Sequence, residues 1–415
     1  MGRSYGGRSV RDMRVAVVAE SFLPHMNGVT NSVLQVLKHL RREGHEAMVI
    51  APASSWMAGW TQRVGQDTAP SQVEGFDVHR LPSVPLSGYA SVRVAAGPVA
   101  RVRSILAGFR PDVVHIASPF VLGWRAVQAA DQLGIPSVAV YQTEVPRYAA
   151  RYGAPWLEDV LWSHVARLHN TATLTVAPSS FTIRQLHSHG VRRVHRWARG
   201  VDSERFHPSK RSEQLRRELA PNGERLIGFV GRLAHEKQVE DLAVLADLPG
   251  TRLVVIGSGP LKEQLQEKLP GAHFAGFQGG EDLARHVASL DLFVHPGESD
   301  TFGQTLQEAM ASGVPVVAVG RGGPMDIVDS SRTGWLYEPK NLAQLREQVA
   351  DLVYDDAKRT AFAQAAWESV QGRTWPVLCE QLLGYYAKAI RVQHRRADEV
   401  ALRHLQHHTT WPLTF

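Results

Sequence analysis

Three stretches decide the fold: Arg14-Val-Ala-Val-Val-Ala19, Thr30-Asn-Ser-Val-Leu-Gln-Val-Leu-Lys-His-Leu-Arg41 and Ala47-Met-Val-Ile-Ala51. The first and third are unbroken apolar runs, the mark of strands buried on both faces of a parallel sheet. In the second, Val33, Leu34, Leu37 and Leu40 recur at helical spacing, with polar residues opposite. Gly44 stops that helix. Strand, helix and strand in succession make a βαβ unit. Pro111–Ala117, Ser137–Tyr141 and Thr173–Ala177 read as further strands, with a helix around 123–133.

The pattern then restarts. Leu226–Val230, Arg252–Ile256, His273–Phe277, Leu292–His295 and Pro315–Val319 read as strands. Helical stretches follow the loop Gly231–Lys237, through Leu248, and the loop Gly257-Ser-Gly-Pro260. Two such series predict two doubly wound, Rossmann-like α/β domains facing a central cleft. The expected boundaries are 13–200 and 201–380, with a seam near Trp197–Ser209. A helical tail, 381–415, is expected to pack back on the first domain. Residues 1–12 are Gly/Arg-rich without an apolar run and read as a disordered arm, not a secretory signal.

Composition narrows the function. The 415 residues are 44% hydrophobic and 21% charged, ordinary for a globular protein and unlike a disordered chain. The single cysteine, Cys379, excludes an intrachain disulfide and a Cys-based zinc site. No run reaches the ~20 apolar residues of a membrane span. The net charge of +6 is unevenly spread. Residues 1–205 carry 23 Lys and Arg against 14 Asp and Glu; residues 206–415 carry 23 against 26. A basic first half implies an anionic partner, and a lipid surface is favoured over nucleic acid. The expected location is cytoplasmic, with peripheral contact on the inner face of the membrane.

Open α/β sheets bind ligands outside the carboxyl ends of their strands, but many enzyme classes share that architecture. The chemistry must come from the loops. His295-Pro-Gly-Glu-Ser-Asp-Thr-Phe-Gly-Gln304 ends a strand, crosses a polar loop and enters a helix near Gly303. A helix start there offers unpaired N–H groups and a positive dipole to a phosphate. Asp300 precedes the helix and Glu308 lies in its second turn, so both are candidates to face a polar ligand. Asp300 also reads as a plain N-cap acid. Arg232 and Lys237, in the loop after Leu226–Val230, provide two cations that could neutralise a diphosphate without a metal. No Asp-x-Asp loop and no clustered His ligands stand out, so no metal is expected. Ala53-Ser-Ser-Trp-Met-Ala-Gly-Trp60, followed by Arg63, suits a lipid headgroup layer, or else its tryptophans pack under their own loop. Arg147 and Arg151 are candidates for an anionic acceptor or ordinary surface charges.

Together these stretches resemble the retaining glycosyltransferases of family 4, with the two-domain GT-B fold. Val176-Ala-Pro-Ser179, Arg199-Gly-Val-Asp202, Arg321-Gly-Gly-Pro-Met-Asp-Ile-Val328 and Thr333-Gly-Trp-Leu336 carry the resemblance further. Ala19-Glu-Ser-Phe-Leu-Pro-His-Met-Asn-Gly-Val29, Leu81-Pro-Ser-Val-Pro-Leu-Ser-Gly-Tyr89 and Tyr141-Gln-Thr-Glu-Val-Pro-Arg-Tyr148 look like the actinobacterial GDP-mannose-dependent α-mannosyltransferases. The resemblance implies that Arg232 and Lys237 bind the donor diphosphate, that Glu308 holds the ribose hydroxyls and that Asp300 meets the transferred sugar. It further implies donor contacts from Gly28, Gln278, Phe302, Gly303, Gln304 and Thr305. On the acceptor side it implies Asn27, Gln142, Thr143, Glu144 and Arg147.

Two positions depart from the family pattern. Asp300 stands where Glu is usual, with Glu298 as a less favoured stand-in. Gln142 stands where the family commonly has His; an amide hydrogen-bonds a sugar but does not titrate. His115, at the end of the preceding strand, is a second candidate there, or a structural hydrogen-bonder. The implied function is transfer of mannose from GDP-mannose to a glycolipid, with retention and without a metal or other cofactor. Another nucleotide sugar, a soluble acceptor, a nucleotide-sugar epimerase and a non-catalytic sensor remain alternatives.

Overall fold

The computed structural model describes residues 12–54, 69–86, 89–142 and 157–408. The chain divides into two compact units. The first comprises Met1–Ala177, Ile183–Trp197 and Cys379–Phe415, and the second Pro178–Thr182 and Ala198–Leu378.

In the first unit the strands are β1 (Arg14–Val18), β2 (Glu46–Pro52), β3 (Gln72–Val73), β4 (Phe76–Leu81), β5 (Ser83–Leu86), β6 (Tyr89–Ala95), β7 (Val113–Ile116), β8 (Ser137–Val140), β9 (Leu174–Ala177) and β10 (Val194–Arg196). Eight of them form a sheet in the order β10-β9-β8-β7-β1-β2-β4-β3, parallel except for β3. The chain leaves β1 toward β2 and later returns to β1's other side as β7. That reversal opens a crevice at the carboxyl ends of β1 and β7. The helix Gly28–Arg42 follows β1 and buries Val33, Leu37 and Leu40 as expected; Val36 completes the buried stripe, and Leu34 is only half-buried. β5 and β6 pair as a separate antiparallel hairpin, within a stretch whose apolar spacing showed no strand.

In the second unit β11 (Arg225–Val230), β12 (Thr251–Ile256), β13 (His273–Gly276), β14 (Leu292–His295), β15 (Val316–Val319) and β16 (Gly334–Tyr337) form one parallel sheet, ordered β13-β12-β11-β14-β15-β16. Side chains alternate across it. Ile227, Phe229, Val255, Val294 and Val317 enter one core. Leu226, Val254, Phe293, Val316 and Ala318 enter the other. Burial on both faces is why these strands read as continuous apolar runs.

One expected element differs. The stretch before Leu248 is a 3-10 helix, Val239–Leu245, not an α-helix. Its buried residues Val239, Leu242 and Leu245 lie three apart, the spacing that a 3-10 helix places on one face.

Helices Leu342–Tyr354, Asp356–Val370 and Trp375–His408 make up the tail. The last begins in the second unit and, from Cys379 onward, counts with the first. There Tyr386, fully buried, bonds His115 Nδ1 at 2.7 Å, and Glu380 lies 3.5 Å from His39. The short segment Pro178–Thr182 counts with the second unit. Ser180 N donates to the Asp326 carboxylate, and Thr182 Oγ1 lies 3.4 Å from the Thr301 carbonyl.

Candidate active site

In the second unit the chain runs from β11 outward to β13, then resumes on β11's other side as β14. The loops after β11 and β14 therefore lie side by side at the switch point. They are Gly231–Lys237 and His295–Gly303, the two stretches that carried the chemistry in the sequence. Their backbones interlock. Glu298 N donates to Gln238 Oε1 at 2.9 Å, and a Cβ on Gly297 would lie 3.3 Å from the Glu236 carbonyl. The loop after β15 closes the third side, with Gly323 N donating to the Asp300 carbonyl at 2.9 Å. Gly323 leaves no room for a side chain: a Cβ there would lie 2.1 Å from the Phe302 carbonyl.

Asp300 is the centre of this junction. One carboxylate oxygen pairs with the Lys237 ammonium, and the other lies 2.7 Å from His295 Nε2. Burial alone would raise its pKa, but the Lys237 and His295 contacts hold it far below the usual carboxylate range. Glu298 is buried and pairs with Arg321 at 3.0 Å. This ion pair makes it a support of the loop and removes the reason to treat it as Asp300's stand-in.

The helix Gln304–Ala311 starts at Gly303, whose φ of +95° favours glycine. The first N–H groups of an α-helix have no intrahelical acceptor and point outward. Gln304 and Glu308 share a helix face, and Gln304 Nε2 lies 3.3 Å from Glu308 Oε1. Burial lifts Glu308 to about 7, against the Gln304 hydrogen bond and the charges of Arg199 and Arg205. Burial also lowers Arg199 to about 10, with Glu308 and Asp300 opposing the shift. Two neighbouring acids are thus driven apart in acidity, a common sign of divided roles.

The remaining expected residues separate into groups. Arg232 is exposed and forms no ion pair among the described residues. Thr305 is half-buried in the helix's first turn. Gln278 lies just past the edge strand β13 and bonds back to the Ala275 carbonyl at 2.8 Å. Phe302 is 3% exposed and belongs to the core, so its side chain serves packing and only its backbone is available to a donor. Arg199, His295 and Arg321 were not assigned roles from sequence. Arg199 and Arg321 stood inside quoted motifs, but only folding brings them to acids about a hundred and about twenty residues away.

In the first unit, Asn27 caps the helix Gly28–Arg42: its Oδ1 accepts from Val29 N and Thr30 N, each at 3.0 Å. Its Nδ2 donates to Ser21 Oγ. Both ends of the amide are therefore engaged, and the Asn27 carbonyl accepts from Asn31 N at 2.9 Å, so this residue serves the start of the helix. Gln142 Nε2 donates to the Ala117 carbonyl at 3.0 Å, tying the loop after β8 to the end of β7. His115 is buried against Tyr386 and Trp197. Its ring is committed to holding the C-terminal helix, so it is not the replacement for the family histidine. Thr143, Glu144, Arg147 and Arg151 lie outside the described residues, as do Trp56, Trp60 and Arg63. Among the described residues no group of three or more His, Cys, Asp or Glu side chains is arranged to hold a metal ion. No described helix is long and apolar enough to cross a membrane.

Comparison with known proteins bears directly on this geometry. Residues 26–205 match the model for Glycosyltransferase Family 4, and residues 210–369 match that for Glycosyl transferases group 1. The chain is 45% identical, over 93% of its length and 91% of the relative's, to the GDP-mannose-dependent alpha-mannosyltransferase of Corynebacterium glutamicum. It is 48% identical to the protein of the same name from Mycolicibacterium smegmatis, over 93% of this chain and all of that one. The chain is a family 4 glycosyltransferase. A more distant relative of this transferase is the GDP-mannose-dependent alpha-(1-6)-phosphatidylinositol dimannoside mannosyltransferase of Mycobacterium tuberculosis, 28% identical over 74% of this chain and 79% of that one. Among solved structures, sucrose-phosphate synthase from Thermosynechococcus elongatus matches with a TM-score of 0.76, 18% identity, and coverage of 91% of this chain and 98% of that one. The fold is GT-B.

Proposed function

We propose that this transferase moves mannose from GDP-mannose to a hydroxyl of a glycolipid, with retention of configuration, giving an α-mannoside. The observation that carries the reading is the junction at the β11/β14 switch point. There a cation, a helix start and two acids of divergent acidity converge in a chain closely similar to transferases named for that donor.

Lys237 and the N–H groups at Gly303 meet the donor diphosphate, with exposed Arg232 adding a second cation. They stabilise the negative charge that grows as the bond from the sugar's C1 to the phosphate oxygen breaks. Binding therefore draws Lys237 toward phosphate and away from Asp300, which turns to the sugar hydroxyls. Ionised Glu308 accepts hydrogen bonds from the ribose diol. The acceptor hydroxyl attacks C1 on the face the diphosphate leaves. Its proton passes to the departing phosphate oxygen, and GDP is released. The reaction needs no metal, since the phosphate charge is met by side chains and backbone. The basic first half of the chain and the lipid named for the mycobacterial relative support an anionic glycolipid acceptor, reached by peripheral contact with the inner membrane face.

The test is incubation with labelled GDP-mannose, and with UDP- and other GDP-sugars, each beside a total lipid extract and a chelator. Lipid-extractable label from GDP-mannose, undiminished by chelator and released by an α-mannosidase, is expected. Tight GDP-mannose binding without transfer, or transfer only from another donor, would refute the reading.

A further inference from the structure

We propose that exposed arginines at the edge strand β10 and along the C-terminal helix form the surface by which this chain docks on an anionic bilayer. The inference rests on the reading above that the acceptor is a glycolipid, because such an acceptor keeps its chains in the membrane.

The surface is built within the first unit. β10 is the edge of its sheet, and the helix Trp375–His408 packs on it. Tyr385 Oη donates to the Arg196 carbonyl at 2.7 Å, and its ring stacks on His195 at 5.5 Å. Lys388 Nζ lies 3.2 Å from His195 Nε2. This contact sets the arginines of two distant segments together. Arg192 precedes the strand, Arg196 ends it, and both are exposed. On the helix, Lys388, Arg391 and Arg395 recur at three- and four-residue steps and so share one face. Arg193 is anchored to the carbonyls of Asn170 and Ala172, and its guanidinium feels the like charges of Arg192 and Arg396.

Among the described residues none of these cations forms an ion pair, although other exposed arginines do, such as Arg332 with Asp329 and Arg285 with Asp282. The acids Asp398 and Glu399 on the same helix are exposed and fewer than the cations, which leaves the patch positive. Clustered like charges repel unless an external anion meets them.

Each basic residue at an anionic leaflet is worth about fivefold in partitioning. The variant to test is Arg192→Gln/Arg196→Gln/Arg395→Gln, which spares the anchoring Arg193. Wild type should co-sediment with vesicles of equal phosphatidylglycerol and phosphatidylcholine, and not with phosphatidylcholine alone. The variant, with an unchanged melting temperature, should lose about 100-fold in that partitioning. Its transfer to acceptor held in anionic vesicles should fall in parallel, while transfer to detergent-dispersed acceptor stays at the wild-type rate. Partitioning of the variant within threefold of wild type overturns the proposal. So does wild-type binding to RNA with none to anionic vesicles. Charge-dependent vesicle binding without transfer to any lipid would uphold the surface and sink the acceptor reading instead.

Discussion

Lys237→Met removes the ammonium and keeps the apolar stem. Two consequences separate. In the free protein Asp300 loses one of its two partners, and both side chains of the pair are only about a fifth exposed. Breaking a fully buried pair costs about 3–5 kcal/mol; solvent access and the remaining His295 contact bring the expected loss of stability to about 1–2 kcal/mol. During reaction a preorganised cation facing growing phosphate charge is lost, which costs about 10²–10³ in rate. Asp300→Asn added to Lys237→Met removes the stranded carboxylate, so the double variant should regain stability but not activity. Urea unfolding measures the first effect, and initial rates of mannosyl transfer measure the second. A drop in kcat of less than fivefold for Lys237→Met would show that Lys237 serves only as Asp300's structural partner, and the donor-binding role would fall.

Burial lifts Glu308 to about 7, and in the proposed donor complex it accepts from both ribose hydroxyls only when ionised. GDP affinity should therefore rise with pH through about 7, and Glu308→Gln should flatten that profile and weaken GDP binding about 10- to 100-fold, measured by calorimetry. Gly303→Ala places a Cβ at φ +95° and 3.0 Å from Leu306 Cδ1; about 1–2 kcal/mol of stability and most donor affinity should be lost, and an unchanged melting temperature would contradict the strain. His115 is lowered to about 4 and His169 to about 3 by burial, from an ordinary 6.5. The unfolded chain binds these protons first, so stability is complete above about 6.5 and falls as pH drops toward 4 and 3. For His115 the loss reaches at most about 3 kcal/mol, and His115→Gln should remove that share of the acid dependence in unfolding titrations.

Much of the fold was legible because a strand buried on both faces must be apolar throughout. Val17, Ile50, Val255 and Val317 leave no doubt about such strands, and their alternation with helices forces parallel sheets. The candidate donor loop was legible for a related reason. A phosphate-binding helix start needs a strand, a polar loop and a glycine in close succession, and His295 to Gly303 supplies all three. Stretches without a decisive local period were not legible. The hairpin β5–β6 lacks a decisive period, and the 3-10 helix at Val239–Leu245 resembles an α-helix until its three-residue spacing is weighed.

By itself, then, the sequence determined two parallel α/β series, a basic first half and the candidate ligand loops at the strand ends, because each is written in local spacing and composition. Tertiary structure decided what those residues are doing. It set Asp300 between Lys237 and His295, drove Glu308 toward neutrality by burial, spent Asn27 on a helix cap and locked His115 to Tyr386. It also gathered the arginines of β10 and the C-terminal helix on one surface. Acidity and charge clustering depend on distance and solvent, and both are settled only when segments far apart in the chain come together.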